Sequence, residues 1–136
     1  MNVLDAMQIS ASGMKAQGDR IRVISQNIAN ADTAANTPNA EPYQRKTVIF
    51  KNELDRASGV EKVAVDRIYE RQGEFRLKYQ PSHPGADENG YIRLPKINTL
   101  IESMDMREAQ RSYEANLGMM NISKSMLGKT IDLLGK

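Results

Sequence analysis

His83 is the single histidine of the chain and therefore the first candidate for acid–base catalysis near neutral pH. It stands between Ser82 and Pro84, and a following proline disfavours the helical backbone conformation. General acid–base catalysis needs a second group that positions the imidazole, and the neighbouring sequence offers none. An isolated histidine in a loop is far more often a turn residue than a catalyst, so we expect no catalytic role for His83.

The segment 123–130 reads SKSMLGKT and resembles a phosphate-binding loop with one position changed. That motif needs glycine at position 123, where this chain has serine, and it lies between a strand and the start of a helix. Here Gly128, Lys129 and Thr130 fall inside a helical pattern, where the backbone N–H groups already bind the carbonyls of residues four positions earlier. We therefore reject a nucleotide site at this segment.

Metal and cofactor chemistry has little support in the composition. The chain has no cysteine and one histidine, and the adjacent Asp87 and Glu88 lack the ligand spacing of a calcium loop. We expect no metal site and no cofactor, and we predict that the protein is not an enzyme. The alternative is a small hydrolase or nucleotide-binding enzyme that uses His83 or Gly128-Lys129-Thr130. That alternative predicts bound nucleotide in the purified protein, or an activity lost in His83→Ala.

The charge pattern argues against nucleic acid and membrane as partners. The 136 residues include 19 basic and 17 acidic residues, and no run of Lys or Arg is long enough to follow a phosphate backbone. No apolar run approaches the ~20 residues needed to span a bilayer. The N-terminal segment also lacks the basic and apolar regions of a cleaved secretion signal. We expect no nucleic-acid binding, no direct membrane insertion and no cleaved signal.

Two long helices are predicted, over residues 3–30 and 96–136. Apolar or small residues recur there at alternating spacings of three and four, which is typical of helices that pack along one stripe. The first stripe contains Leu4, Met7, Ala11, Met14, Gly18, Ile21 and Ile28. The second contains Met106, Tyr113, Leu117, Met120, Leu127, Ile131 and Leu134, and Ile97, Leu100, Ile101 and Met104 extend it toward the helix start. Asn98-Thr99, after Pro95, predicts the N-cap, and Gly135 predicts the helix end.

Both predicted helices contain interior glycines, which weaken them. Gly13 and Gly18 lie in the first helix, and Gly118 and Gly128 lie in the second. Each glycine costs about 1 kcal/mol relative to alanine in a helix. Either the glycines allow close helix–helix approach, or the helices are weak when alone. Both interpretations favour helices that become stable only against partners.

Large apolar residues are few for a self-contained core of this length. Aromatic residues make up 5% of the chain, there is no tryptophan, and there are eight methionines. Because methionine packs adaptably, this composition suits apolar surface used in contacts between subunits. An ordinary methionine-rich core remains the alternative.

The middle of the chain predicts a small β-rich insert. Residues 31–42 have loop composition, Lys46–Lys51 and Val60–Tyr69 favour strands, and residues 75–79 alternate as in a half-exposed strand. A short extended piece follows at Tyr91–Leu94. We therefore predict one structural unit in three segments, 1–33, 34–95 and 96–136. The fold class is mainly α with a small β insert (α+β), with the terminal helices packed as an antiparallel coiled-coil-like pair.

Three groups of motifs resemble the bacterial flagellar rod and hook proteins, and among them the short proximal rod proteins. The first reads ASGMKAQ at 11–17 and QNIANADT at 26–33. The second reads PYQRK at 42–46 and YQPSHPGADENGYIRLP at 79–95, and the third reads RSYEAN at 111–116 followed by KSM at 124–126. The family positions that match are Gln26, Asn27, Ala29, Asn30, Thr33, Pro42, Tyr43, Pro81, Pro84, Asp87, Gly90, Tyr91, Pro95, Ser112, Tyr113 and Asn116.

The resemblance implies a structural subunit of the flagellar basal-body rod, a helical tube that transmits motor torque to hook and filament. It implies location in the rod in the periplasmic space, after export by the flagellar type III apparatus. The implied partners are further copies of the chain, the rod subunits FlgB, FlgF and FlgG, and the FliE adaptor. We expect the terminal helices to be partly disordered in the monomer, to fold on joining the rod, and to pack there along the two stripes. The β insert, residues 43–95, is expected on the outside.

For the asparagines at the end of the first helix, physical chemistry leaves two roles open. Asn27 and Asn30 either cap the helix or form hydrogen bonds to a neighbouring subunit.

Overall fold

The computed structural model of the protein describes residues 2–135, which form two helices and four strands. Their order along the chain is α1 (Val3–Ala29), β1 (Lys46–Asp55), β2 (Val60–Glu70), β3 (Arg76–Tyr79), β4 (Tyr91–Leu94) and α2 (Thr99–Leu134). The α+β class is confirmed, with two long helices that pack together and a small β region between them in sequence. None of the helices in residues 2–135 has the length and apolar character needed to cross a bilayer.

Both helices begin at side-chain caps. Asn2 and Asp5 satisfy each other's backbone N–H groups with their side chains, each at 2.8 Å, which is the reciprocal arrangement of a capping box. At α2, the Asn98 carboxamide oxygen accepts from the N–H groups of Leu100 and Ile101 at 3.0 and 3.3 Å. The predicted cap at Asn98-Thr99 is therefore confirmed. The prediction that Ile97 extends the helix was wrong, because Ile97 is buried ahead of the cap.

The strands form two separate two-stranded sheets, β1–β2 and β3–β4. The connection between β1 and β2 is so short that the pair is a hairpin, and Gly59 supplies the left-handed residue of the turn with φ +70°. In the second sheet β3 and β4 are antiparallel, with Leu77 opposite Arg93 and Tyr79 opposite Tyr91.

The prediction of a half-exposed strand at 75–79 was wrong about burial. All four residues of β3 are exposed, whereas Ile92 and Leu94 of β4 are 3% and 2% exposed. The apolar contacts of this sheet are therefore made by β4. Two-residue alternation identifies a strand, but it does not say whether the strand or its partner faces the core.

The chain forms two compact units, each containing one part of each helix. Unit 1 comprises residues 2–21, 48–67 and 107–135, and unit 2 comprises residues 22–47 and 68–106. In unit 1, Arg20 is paired with Glu108, and the Asn116 side chain lies against Gly13. Because ascending positions on α1 meet descending positions on α2, the helices are antiparallel, as predicted.

The cores of the two units differ in the size of their residues. In unit 1 the buried residues among those described are small: Ser10, Ala16, Ala109 and Ser123. In unit 2 the buried apolar residues are Val23, Ile24, Ala31, Ile92, Leu94 and Ile97. Since burial of large aliphatic side chains supplies most of the hydrophobic free energy, unit 2 holds the stronger core.

Candidate assembly surfaces

Asn27 joins three elements of unit 2 through its carboxamide. Its nitrogen donates to the Lys46 carbonyl at 2.9 Å and to the Glu102 carboxylate at 3.1 Å. Its oxygen accepts from the Tyr43 hydroxyl at 2.8 Å and from the Lys46 N–H at 2.9 Å. The side chain is 1% exposed, and these four bonds use its full hydrogen-bonding capacity. Asn27 therefore neither caps the helix nor reaches a neighbour, but fixes the start of β1 against both helices.

Glu102 brings a carboxylate into the same buried cluster. Its side chain is 2% exposed and accepts a hydrogen bond from the Arg45 guanidinium, which also donates to the Thr47 hydroxyl at 3.1 Å. A buried carboxylate is tolerated only when it is paired and hydrogen-bonded, and Arg45 and Asn27 supply both conditions.

The Tyr43 phenol is held in its neutral form. Burial raises its pKa above the ordinary value, and the nearby carboxylates of Glu70 and Glu102 raise it further. The phenol therefore keeps the proton that it donates to Asn27.

Asn30 has the capping role that was left open for it. Its carboxamide nitrogen donates to the Gln26 carbonyl at 2.8 Å, which satisfies an acceptor in the last turn of α1. Thr33 and Ala29, which share this motif, are exposed. The two asparagines of one short motif thus have different tasks, one at the helix end and one inside the subunit.

The motif at 79–95 folds as a tight loop that leads into β4. Asp87 accepts from the N–H groups of Asn89 and Tyr91, both at 2.9 Å, which is the local turn that aspartate side chains favour. Gly90 has φ +83°, and a Cβ there would lie 2.9 Å from the Tyr79 ring. Only glycine fits this position, both in backbone conformation and in space. Pro95 is fully buried, whereas Pro81 and Pro84 are exposed.

His83 lies in the same loop, where its Nδ1 accepts a hydrogen bond from the Gly85 N–H at 2.9 Å. This is a turn contact within two residues. Within residues 2–135 no group of three or more metal-ligating side chains is brought together. Gly128-Lys129-Thr130 lies inside α2, and the Thr130 hydroxyl donates to the Met126 carbonyl one turn earlier. That geometry matches the reasons for rejecting a phosphate loop there.

The helix pair of unit 1 is close at one glycine only. A Cβ on Gly13 would lie 2.8 Å from the Asn116 carboxamide nitrogen, whereas a Cβ on Gly18, Gly118 or Gly128 would meet nothing within 4 Å. Within the subunit, close approach therefore explains Gly13, and it does not explain the other three glycines. Asn116 itself donates to the Ser112 carbonyl at 2.9 Å.

The two predicted apolar stripes are largely outside the intramolecular core. On α1, Leu4 is 53% exposed, Ala11 is exposed, and the remaining stripe residues, Met7, Met14, Ile21 and Ile28, are half-buried. On α2, Leu117, Ile131 and Leu134 are exposed, and Met106, Tyr113, Met120 and Leu127 are half-buried. The helix faces buried within the chain carry Ser10, Ala16 and Asn27 on α1 and Glu102, Ala109 and Ser123 on α2.

Three residues of the predicted extension of the α2 stripe lie in the helix, and they too are outside the intramolecular core. Leu100, Ile101 and Met104 are 69%, 53% and 63% exposed, and Glu102 between them is buried. The methionine-rich core is also excluded for residues 2–135, since no methionine there is buried. Met104, Met119 and Met126 are more than half exposed.

Sequence reasoning missed Arg45 and Glu102 as partners in the core. Arg45 lies in a segment whose only signal is its family resemblance, and Glu102 is surrounded by apolar residues. A charged residue within a helical apolar run was an available signal, but nothing in the sequence indicated its partner 57 positions away.

Comparison with known proteins defines the class. A family profile described as "Flagella basal body rod protein" matches residues 7–34, and one described as "Flagellar basal body rod FlgEFG protein C-terminal" matches residues 88–133. Both matches belong to structural proteins of the flagellar rod.

Relatives that match over nearly their whole length identify one family among the flagellar rod proteins. The flagellar basal-body rod protein FlgC of Agrobacterium fabrum is 48% identical over 129 residues, which cover 95% of this chain and 93% of that protein. The FlgC proteins of Salmonella typhimurium and Bacillus subtilis are 35% and 34% identical, each over 98% of this chain and 98% or 99% of their own length. The chain belongs to the FlgC family of flagellar basal-body rod proteins. It is a structural subunit of the rod in the flagellar basal body, where it associates with other rod components.

Proposed function

We propose that the chain enters the proximal rod through the exposed apolar residues of its two terminal helices. In this proposal they contact further copies of the chain and the subunits FlgB, FlgF, FlgG and FliE. The assembled tube transmits torque from the motor to the hook and filament, and motility depends on it. The observation that carries the proposal is the exposure of large apolar residues on α2 in a chain whose helices are already packed together.

The exposed apolar surface is concentrated in the second half of α2. Ile122 and Met126 are 56% and 54% exposed, Ile131 is 60% exposed, and Leu133 and Leu134 are 78% and 82% exposed. Ordinary monomeric surfaces rarely leave so many large apolar residues together in water. At roughly 25 cal/mol per Å² of apolar area, covering this surface strongly favours association.

The same features suit export to the periplasmic space through the flagellar type III apparatus without a cleaved signal. The chain has no cysteine, so no disulfide has to form or break during passage. The small residues in the core of unit 1 leave its helix ends weakly held, because little apolar area is buried there. We infer that these helix ends are partly disordered in the monomer and fold on joining the rod.

The three segments 1–33, 34–95 and 96–136 keep distinct roles in this proposal. The terminal segments make the tube, and the β segments face its outside. The family positions in the Asn27 cluster and the 79–95 loop act by shaping the subunit that presents those helices.

Ile131→Asp tests the assembly face. Ile131 is exposed in the isolated chain, so aspartate there should change the free energy of unfolding by no more than ~0.5 kcal/mol. Buried between subunits, the same carboxylate is strongly unfavourable, so the variant should be absent from purified basal bodies and its cells should not swim. The matched control is Thr130→Asp, which adds the same charge at the adjacent exposed position. Normal incorporation of Ile131→Asp would contradict the proposed face.

We infer that the chain has no enzymatic activity, since the only imidazole is engaged in a turn. His83→Ala should leave motility intact. Its largest expected effect is a loosened loop, because the turn contact with Gly85 is lost. An activity of the purified protein that disappears in this variant would overturn the inference.

A further inference from the structure

Two short strand segments are largely exposed, and they belong to different units of the chain. The first is β3, Arg76–Tyr79, in unit 2. The second is residues 52–55 of β1, in unit 1, where Leu54 is 56% exposed and Asp55 is half-buried. We call β3 the basic strand, because it has two basic residues, and residues 52–55 the acidic strand, because they include two acids.

Each segment has an open edge. The sheet of β3 has two strands, and among residues 2–135 no backbone hydrogen bond joins the outer edge of β3 to another segment. In the hairpin, the Val63 N–H of β2 donates to the Ser12 hydroxyl at 3.3 Å, so the outer edge of β2 is partly satisfied by α1. Within residues 2–135, no backbone hydrogen bond joins the outer edge of residues 52–55 of β1 to another segment. Unpaired strand edges are templates for pairing with a strand of another chain.

The outward face of the β3–β4 sheet is apolar and aromatic. Leu77 and Tyr79 are 62% and 64% exposed, and Tyr79 lies edge-on to Tyr91 with ring centroids 5.3 Å apart. The Arg93 guanidinium lies over the Phe75 ring at 5.5 Å. Phe75, Tyr79 and Tyr91 are three of the seven aromatic residues in the chain. Exposed aromatics with a nearby arginine are the composition that protein interfaces favour.

The charges of the two segments are complementary. The sequence of β3 is RLKY, with two basic residues and no acid, and residues 52–55 of β1 are NELD, with two acids and no base. Lys78 and Glu53 are exposed, and neither forms an ion pair with another residue of the range 2–135. Opposite charges directly across a strand pair stabilise it, and like charges destabilise it.

One antiparallel register pairs the free charges of Lys78 and Glu53 and also the apolar residues. Arg76 and Asp55 form ion pairs with Asp32 and Lys62 within the chain, and in this register they would exchange those partners. If Lys78 lies opposite Glu53, strand alternation places Arg76 opposite Asp55 on the same face. On the other face it places Leu77 opposite Leu54, and Tyr79 opposite Asn52. A register shifted by one residue would put Lys78 opposite Leu54 or Asn52, so the pair of Lys78 with Glu53 disfavours a one-residue shift.

We propose that the basic strand of one copy adds to the edge of the acidic strand of a second copy, in this antiparallel register, to form an intermolecular four-stranded sheet. Because the two patches are different, the contact is head-to-tail, and repetition of a head-to-tail contact generates rings or helical arrays. The inference rests on the proposed assembly of copies in the rod, and it adds to the helices a second contact on the outer, β-rich part of the subunit.

Cysteine cross-linking tests the register in assembled basal bodies, and the natural absence of cysteine removes any background. Cells should express two variants of the full chain together, Leu54→Cys and Leu77→Cys. Residues directly opposite in an antiparallel pair are close enough for a disulfide, so an added thiol oxidant should yield a dimer joined through positions 54 and 77. Either variant expressed alone should yield none. The matched control replaces Leu54→Cys by Ile68→Cys, at a comparably exposed position on β2, and should also yield none.

Charge exchange tests the pairing independently of the cysteines. Lys78→Glu, introduced into the Leu77→Cys chain, should lower the cross-linked fraction roughly fivefold, because attraction becomes repulsion. Glu53→Lys in the Leu54→Cys chain should have the same effect, and the two changes together should restore cross-linking. Glu61→Lys, which makes the same charge change on an exposed residue of β2, should neither impair nor rescue it.

The outcomes separate this inference from the proposed function. If both cysteine variants are present in basal bodies and no dimer through positions 54 and 77 forms, the strand pairing is wrong and assembly through the helices stands. A dimer through positions 68 and 77 would also overturn the register. Absence of the wild-type chain from basal bodies would contradict the proposed function itself.

Discussion

Unit 1 and unit 2 contain parts of the same two helices, yet they differ in the size and polarity of their buried residues. In unit 2, α1 and α2 enclose large aliphatic residues and a fully bonded polar cluster around Asn27. In unit 1, the described buried residues are serine and alanine, and the large apolar residues of the helices are half-buried or exposed. One half of the helix pair therefore buries large apolar residues that specify the fold of the subunit, and the other half buries only small ones. In the proposed function, that second half contacts neighbouring subunits.

The polar cluster of unit 2 fits this difference between the buried residues of the two units, and Leu100, Ile101 and Met104 of the same unit are exposed. Buried networks with every group satisfied favour one arrangement over near alternatives, because a shifted register would leave carboxylate and amide groups unpaired. The bonds from Asn27 to Glu102 and Lys46 therefore fix the position of α1 relative to α2 and β1 in unit 2.

The largest difference between the units should appear on deleting a leucine side chain. Leu94, which is 2% exposed in unit 2, should cost about 3 kcal/mol when changed to alanine, from lost burial and the cavity left behind. Leu117 of α2, which is 39% exposed in unit 1, should cost about 1 kcal/mol or less with the same change. Urea unfolding of the full chain measures both, and equal costs would contradict the comparison.

A smaller effect is expected from the polar cluster. Asn27→Ala leaves the Glu102 carboxylate without one donor and the Tyr43 hydroxyl without its acceptor, and should cost about 2 kcal/mol. Tyr43→Phe should cost about 1 kcal/mol alone and much less in the Asn27→Ala background, because both changes remove the same bond. Full additivity in this double-mutant cycle would mean that the cluster does not act as a unit.

The smallest effects concern the helix glycines of unit 1. Gly18→Ala meets no steric obstacle and should stabilise the monomer by about 1 kcal/mol. Gly13→Ala should gain much less, because its Cβ must displace the Asn116 carboxamide. If Gly18 serves close approach between subunits, Gly18→Ala will also reduce incorporation into basal bodies. Undiminished incorporation would leave helix weakness in the monomer as the reason for that glycine.

The sequence predicted the helices and strands of this fold better than it predicted which face of each one is buried. Helical periodicity, the Asn98 cap and β-branched runs are local signals, and the corresponding elements are present. Which face of α1 is buried is not a local property, since a stripe of Leu4, Met7 and Met14 can face the subunit or its neighbours. The structure buries the face with Ser10 and Ala16 and leaves Leu4 exposed.

The buried polar contacts of unit 2 could not be predicted from the sequence for a related reason. The pairing of Arg45 with Glu102 and of Asn27 with Lys46 joins residues distant in sequence. Periodicity treats a charged residue such as Glu102 as a break in an apolar stripe, and it carries no information on whether a distant arginine will satisfy it. The family resemblance marked Asn27 and Tyr43, and their bonding in the structure supplies the physical reason.

Amide hydrogen exchange on the monomeric full chain tests the central claim most directly, because it reports the opening free energy of each segment. We predict strong protection in the parts of α1 and α2 that belong to unit 2, residues 22–29 and 99–106, and in β4. We predict fast exchange from residue 117 to the end of α2 and in the first turns of α1, with protection gained there in assembled rods. Strong, uniform protection throughout both helices of the monomer would contradict the account.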